Sequence, residues 1–323
     1  MTLPEFRLLQ PRTVPAALEA LAEHAGAIQI LAGGTDLVPS MRQGLFAPAY
    51  LLDIRGIREL NHIRQTDSGV VIGTLAPLSA IEANPLLCAE YPVLTAAAAT
   101  VASPVLRNMG TLGGNVCLDT RCLWYNQSLA WRKSCGFCIK KDGDLCHVAP
   151  GGPECWAVFS GDTPPALLCL DAELEIAGPR GVRRIPLAEF YAGTGDAHLN
   201  LAKDELLTRV FLPAGSGGWR GAYRKLRVRG SIDYPLAGVA VALKQRNGAI
   251  EDLRVAITAL NPAPLLVQDA RGFAGKPLDE KTAELAGDLA ARTARPLTTS
   301  ALTPEYRKEM VRVLTKRAIL SLR

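Results

Sequence analysis

The pattern of apolar and polar positions predicts short, mixed elements from the start of the chain. Thr13 followed by VPAALEALAEHAG is typical of an N-cap, an amphipathic helix and a glycine stop. A short apolar run at 27–31 ends at two glycines in AIQILAGGTDL, which predicts a strand and a tight turn. AYLLDIRGI (49–57) and GVVIGTLAPL (69–78) are expected to form further short strands and turns.

The middle of the chain mixes helix, loop and strand signals. PLLCAEYPVLTAAAATVA (85–102) is helix-like, whereas RNMGTLGGNV (107–116) is rich in glycine and is expected to be a loop over a ligand. FSGDTPPALLCLDAELEIAG (159–178) predicts a helical turn after the prolines and then a strand.

The last third predicts a separate unit. PAGSGG near 213–218 is expected to mark a boundary, and antiparallel strands follow it with a hairpin at Asn247-Gly248. Two or three amphipathic helices are predicted between Asp279 and Arg323. Because helices and strands do not alternate regularly, we expect an α+β fold. Its expected parts are residues 1–57, 58–216 and 217–323.

Composition excludes several classes of protein. The 323 residues are 48% hydrophobic and 21% charged, which is typical of a globular chain with a large core. A net charge of +5 is too diffuse to indicate a nucleic-acid partner. No window approaches the roughly 20 apolar residues that span a bilayer, and the start lacks the pattern of a secretory signal. We therefore expect a cytoplasmic protein with reduced thiols.

Five of the eight cysteines lie within 34 residues, between Cys122 and Cys155. Iron–sulfur, zinc and disulfide interpretations are all open at this point. Zinc knuckles normally use two closely spaced pairs, and only Cys135 and Cys138 form one. A reducing compartment disfavours disulfides. Trp124, Trp131 and Trp156 lie in or beside the segment and would supply apolar cover for a cluster.

Two glycine-rich segments, AGGTDL (32–37) and GTLGGN (110–115), let backbone approach a ligand closely. Each would also serve as an ordinary tight turn. Neither is the G-x-G-x-x-G fingerprint, so a Rossmann unit is disfavoured. Together with IGTLAPLSAIE (72–82), in this order, the segments resemble the FAD-binding subunits of the xanthine dehydrogenase and molybdenum hydroxylase family, over nearly the whole chain.

That resemblance implies a two-part FAD-binding domain with a cysteine-rich insertion, followed by a C-terminal flavoprotein domain. The first loop would cradle the pyrophosphate, and the second would contact the flavin. Lys225 matches less firmly, and its alternative is a surface lysine at a strand end. The residues implied to bind FAD are Ile30, Leu31, Ala32, Gly33, Gly34, Thr35, Asp36, Leu37, Thr111, Gly114, Asn115, Asp162 and Lys225.

The chain departs from the usual family pattern between Asn115 and Asp162, where 46 residues intervene. The insertion, about 117–158, resembles that of the 4-hydroxybenzoyl-CoA reductases, a branch of the family that binds a [4Fe–4S] cluster there. By position its ligands match Cys122, Cys138, Cys146 and Cys155, separated by 15, 7 and 8 residues. Cys117 and Cys135 are interpreted as non-ligands, and Cys88 and Cys169 as buried small hydrophobic residues.

The resemblance implies an electron-transfer subunit that does not turn over substrate alone. Reduced ferredoxin would supply electrons through [4Fe–4S] and FAD to partner subunits that hold [2Fe–2S] clusters and the molybdenum cofactor (molybdopterin), in a dimer of heterotrimers. There 4-hydroxybenzoyl-CoA would be reduced to benzoyl-CoA. The alternatives are a related hydroxylase subunit that passes electrons to NAD, a stand-alone flavin oxidase, and a zinc-stabilised binding module. No general acid or base is predicted, and His147 and His198 are expected to be structural.

Overall fold

The structure, a computed structural model, describes residues 2–323. Its N-terminal part consists of β1 (Arg7–Leu9), α1 (Val14–Glu23), β2 (Ile28–Leu31), α2 (Leu37–Arg42) and β3 (Tyr50–Asp53). The three strands pair in parallel in the order β1-β3-β2. Thr13 caps α1, as predicted, because its hydroxyl accepts the N–H of Ala16 at 3.3 Å. The first glycine loop, AGGTDL, connects the carboxyl end of β2 to the start of α2.

A five-stranded antiparallel sheet forms the middle part of the fold. Its strands are β4 (Ile63–Thr66), β5 (Gly69–Gly73), β6 (Glu173–Gly178), β7 (Gly181–Pro186) and β8 (Leu206–Pro213). They are ordered β4-β5-β8-β6-β7, so β8 returns from beyond the insertion to pair with β5. The chain between β5 and β6, which contains the helices and the cysteine-rich segment, therefore begins and ends in the same sheet.

Seven short helices lie between β5 and β6. They are α3 (Leu78–Ala83), α4 (Pro85–Glu90), α5 (Pro92–Ala99), α6 (Pro104–Arg107), α7 (Leu112–Val116), α8 (Leu129–Ser134) and α9 (Thr163–Cys169). The predicted helix over 85–102 is divided in two because Pro92 cannot continue α4. The predicted loop over 107–116 was wrong in part: Thr111 caps a helix through LGGNV, which forms despite its glycines.

The C-terminal part is an antiparallel sheet covered by two helices. The elements are β9 (Arg220–Leu226), β10 (Ala237–Arg246), β11 (Ala249–Thr258), β12 (Leu265–Leu266), α10 (Glu280–Thr293) and α11 (Pro304–Leu320). The sheet order is β12-β11-β10-β9. Asn247 and Gly248 both have positive φ, 51° and 80°, which is the geometry of the predicted hairpin turn. The predicted antiparallel strands and terminal helices are confirmed.

The cysteine-rich insertion is anchored on both sides. Arg121 and Val158 pair as an antiparallel bridge at its neck, with N···O distances of 2.7 and 2.8 Å. The fully buried Arg132 donates to the carbonyl of Gly44 at 2.8 Å, which fixes α8 to the N-terminal part. Leu45 joins the buried cluster formed by the cysteines. The insertion is therefore an integral part of the fold. Within residues 2–323, no helix is long and apolar enough to cross a membrane.

Candidate FAD site and cysteine cavity

The two glycine loops lie against each other. A Cβ built on Gly33 would overlap the carbonyl of Met109 and stand 2.6 Å from its carbon atom. The same Cβ would stand 3.1 Å from the Cα of Gly110. Gly34 has φ of +70°, a left-handed conformation that favours glycine. Loops that the sequence separates by more than 70 residues thus form one continuous backbone surface.

Hydrogen bonds hold the second glycine loop, GTLGGN, in place and orient the side-chain amide of Asn115. The hydroxyl oxygen of Thr111 accepts the N–H of Gly114 at 3.1 Å, which is the cap of α7. Asn115 Oδ1 accepts the N–H and the hydroxyl of Thr163 at 2.9 and 2.7 Å. Since the backbone N–H of Thr163 can only donate, the amide oxygen must face it, and the Nδ2 donors of Asn115 point away. Gly113 instead packs on Thr74, because its Cβ would stand 2.6 Å from the Thr74 Cβ.

Asp36 of the first loop is held by two distant residues that the sequence analysis did not identify. Its Oδ1 accepts from Arg121 Nη2 and from the hydroxyl of Tyr234. Arg121 also donates to the Tyr234 hydroxyl at 3.0 Å, and its guanidinium lies 4.7 Å from the centre of the tyrosine ring. The carboxylate of Asp36 therefore joins the first glycine loop to Arg121 at the neck of the insertion and to Tyr234 in the C-terminal part.

Asp162 and Lys225 form a buried ion pair with an N···O distance of 2.9 Å. Their side chains are 4% and 3% exposed, so the alternative of a surface lysine was wrong. Tyr223 donates to Asp162 at 2.7 Å, and Lys225 also donates to the carbonyl of Thr100 at 3.1 Å. Burial raises the pKa of Asp162, and the ammonium of Lys225 opposes this rise. The pair ties β9 to the start of α9, and flavin contact by either residue stays a prediction.

Four cysteines line one small cavity, namely Cys122, Cys138, Cys146 and Cys155. Each is between 5% and 8% exposed, and all eight cysteines of the chain are free thiols. These are the four implied as cluster ligands. Neither Cys117 nor Cys135 contributes to the lining, in line with their interpretation as non-ligands.

The cavity walls are largely apolar and aromatic. Trp124 lines the cavity and stacks on His147 at 4.3 Å, with Trp131 tilted against it at 5.5 Å. Nε2 of His147 lies 2.6 Å from the carbonyl oxygen of Phe137, and this hydrogen bond holds the imidazole ring in place. Neither Trp131 nor Trp156 contributes to the lining, so of the three predicted tryptophans only Trp124 lines the cavity. Such walls exclude water and lower the local dielectric constant.

The donor set of the cavity bears on which metal group fits it. Within residues 2–323, no group of three or more His, Cys, Asp or Glu side chains is placed to hold a single metal ion. A cubane cluster needs four thiolates. The four cysteines that line the cavity match that number.

Cys88 and Cys169, which lie outside the cavity, differ in their exposure to solvent. Cys169 is fully buried, as predicted, and its thiol donates to the carbonyl of Ala240 at 3.6 Å. Cys88, predicted to be buried, is exposed. Leu87 faces inward from α4, whereas Cys88 lies on the outer side of this short helix.

Comparisons with known proteins identify the class of protein. Residues 4–215 match the family described as FAD binding domain in molybdopterin dehydrogenase, and residues 221–322 match the CO dehydrogenase flavoprotein C-terminal domain. The chain belongs to the FAD-binding subunits of the molybdenum hydroxylase, or xanthine dehydrogenase, family. It is an oxidoreductase subunit, and the predictions of an α+β fold and of an FAD-binding domain are confirmed.

Individual relatives cover almost the whole chain. The carbon monoxide dehydrogenase medium chain of Hydrogenophaga pseudoflava is 28% identical over 321 residues, 99% of this chain and 97% of that one. The nicotine 6-hydroxylase medium subunit of Paenarthrobacter nicotinovorans is 28% identical over 99% of this chain and 98% of its own. The structure of carbon monoxide dehydrogenase from Oligotropha carboxidovorans superimposes with a TM-score of 0.82 at 28% identity, covering 100% of this chain and 99% of that one.

Proposed function

We propose that this chain is the FAD- and [4Fe–4S]-binding subunit of a complex of the 4-hydroxybenzoyl-CoA reductase type. The observation that carries the proposal is the enclosure of one cavity by four buried, free cysteines in an insertion of an FAD-binding subunit. The likeness of the insertion to that branch of the family supplies the substrate class, and the phenolic hydroxyl would be removed reductively to give benzoyl-CoA.

The residues divide into two sets by the group that they would hold. FAD exchanges two electrons and passes them singly, and a [4Fe–4S] cluster carries one electron at a time. The backbone of Ile30–Leu37 would hold the pyrophosphate, while Thr111, Gly114 and Asn115 would contact the flavin. Cys122, Cys138, Cys146 and Cys155 would give up their protons and bind the four irons.

Partner chains are part of the proposal. Two relatives are a medium chain and a medium subunit, which supports a multi-chain enzyme. We propose a large subunit with the molybdenum cofactor, a small subunit with [2Fe–2S] clusters, and a dimer of such heterotrimers in the cytoplasm. Reduced ferredoxin would be the electron donor, and the isolated chain would not act on substrate.

A second candidate has its own support. Relatives named carbon monoxide dehydrogenase and nicotine 6-hydroxylase favour a subunit that receives electrons from a substrate as it is oxidised. In this second candidate the flavin passes those electrons to NAD. The two candidates differ in the partner that exchanges electrons with the flavin.

The test uses the complex purified without oxygen, in which flavin absorbance is followed after addition of reduced ferredoxin or NADH. We expect reduction by ferredoxin and none by NADH. The Cys146→Ala variant should lose most of the ferredoxin rate, whereas Cys88→Ala, at an exposed cysteine, should retain it. Reduction by NADH with ferredoxin inactive would favour the second candidate and overturn the first.

A further inference from the structure

Lys140 places a buried ammonium group beside the cysteine cavity. Its side chain is 5% exposed. Nζ donates to Asp119 Oδ1 at 2.9 Å, to Thr120 Oγ1 at 2.6 Å and to the carbonyl of Gly195 at 2.7 Å. These three contacts match the three hydrogens of an ammonium group and hold the side chain in one position.

The surroundings of Lys140 connect it to the fourth predicted ligand. Lys140 lines the same cavity as Cys155. The Cβ of an alanine at Gly195 would stand 2.8 Å from Cys155 Sγ, and Gly195 N donates to the carbonyl of Cys155 at 2.8 Å. Since Lys140 donates to the carbonyl of this same Gly195, its ammonium group lies on the side of the cavity that Cys155 lines.

Two other titratable residues, Asp119 and His198, lie near Lys140. Asp119 pairs with Lys140 but does not line the cavity, so the cation is the nearer charge. Burial lowers the pKa of His198, and the charges of Asp119 and Lys140 act on it in opposite directions. Nε2 of His198 has no hydrogen-bond partner among the described residues. A neutral His198 adds no second cation.

We propose that Lys140 is a fixed positive charge that raises the reduction potential of the cluster held in the cysteine cavity, and that Asp119 behind it limits this effect. The inference rests on the proposed function. Four thiolates make the group anionic, and each reduction adds one electron, supplied by reduced ferredoxin, with no bond formed and no proton moved. In a site of low dielectric constant, a nearby cation stabilises the added negative charge.

The test is an EPR-monitored redox titration of the anaerobically purified complex. Lys140→Met should lower the ratio of reduced to oxidised cluster at a fixed potential about tenfold, about 59 mV for one electron. Lys140→Arg keeps the charge and should titrate close to the wild type. Asp119→Asn removes the opposing charge and should shift the midpoint the other way. A purely structural role would not give shifts of opposite sign.

Iron and sulfide per FAD are measured on every sample. Wild-type protein without a cluster would refute the proposed function itself. A cluster whose midpoint stays unchanged, or moves in the same direction, in Lys140→Met and Asp119→Asn would overturn only the role of Lys140. If Lys140→Met fails to bind iron, Asp119→Asn still decides, since its midpoint must rise.

Discussion

The backbone of Gly33 lies directly against the carbonyl of Met109, with no room for a Cβ between them. The contact joins the loop after β2 to the loop before α7, and both are implied FAD-binding segments. A side chain of any size at position 33 would separate them. Two segments that are distant in sequence therefore form one continuous surface.

Gly33→Ala should weaken FAD binding at least tenfold, because the new methyl group must displace the backbone of Met109. FAD per protein after gel filtration, together with a fluorescence titration of FAD, measures the effect. Gly215→Ala is the matched control, since its Cβ would meet no heavy atom within 4 Å. Normal FAD content in Gly33→Ala would show that the two loops do not hold the cofactor together.

Lys225→Met should destabilise the protein by about 3–5 kcal/mol, because it leaves the buried carboxylate of Asp162 without its counterion. The double variant Lys225→Met/Asp162→Asn removes both charges and should cost less than the sum of the single changes. Urea unfolding followed by circular dichroism measures both. Strictly additive effects would mean that the two side chains do not interact in solution.

Gly195→Ala should reduce iron content without a change at any cysteine. Its Cβ would stand 2.8 Å from Cys155 Sγ and 2.6 Å from the backbone nitrogen of Ala157, so it must displace the predicted ligand. FAD should remain bound, because the three atoms nearest the new Cβ belong to Cys155 and Ala157 and to neither glycine loop. Gly151→Ala, where a Cβ meets nothing within 4 Å, should keep full iron content. Equal iron in both variants would argue against Cys155 as a ligand.

Cysteine alkylation should distinguish three environments in folded protein. Cys88 is exposed and should react with iodoacetamide first. Burial raises the pKa of Cys117 to about 12, so a change from pH 7 to pH 9 leaves it as an unreactive thiol. Fully buried Cys169 should react only after unfolding. Peptide mass mapping reads out each site, and early labelling of Cys117 at pH 9 would contradict this arrangement.

Local signals in the sequence predicted local structure well. Thr13 caps its helix, and the turn at Asn247-Gly248 has the expected positive φ values, because caps and tight turns depend on a few adjacent residues. Helix α7 was missed since its glycines have low helix propensity, and packing of Gly113 on Thr74 overrides it.

The contacts that complete the candidate site are long-range. Tyr234 reaches Asp36 across 198 residues, and Lys225 reaches Asp162 across 63. A single sequence carries no signal for such partners, so Arg121, Tyr234 and Lys140 were not predicted. The four cysteines were identified only through a family resemblance, because their spacing alone left zinc open.

Iron, zinc and acid-labile sulfide per FAD in anaerobically purified protein test the central claim most directly. Cys146→Ala and the exposed-site control Cys88→Ala are analysed beside the wild type. The account predicts about four iron and four sulfide per FAD in wild type and control, and loss of iron with retained FAD in Cys146→Ala. One zinc without sulfide would contradict it and make the insertion a structural metal site.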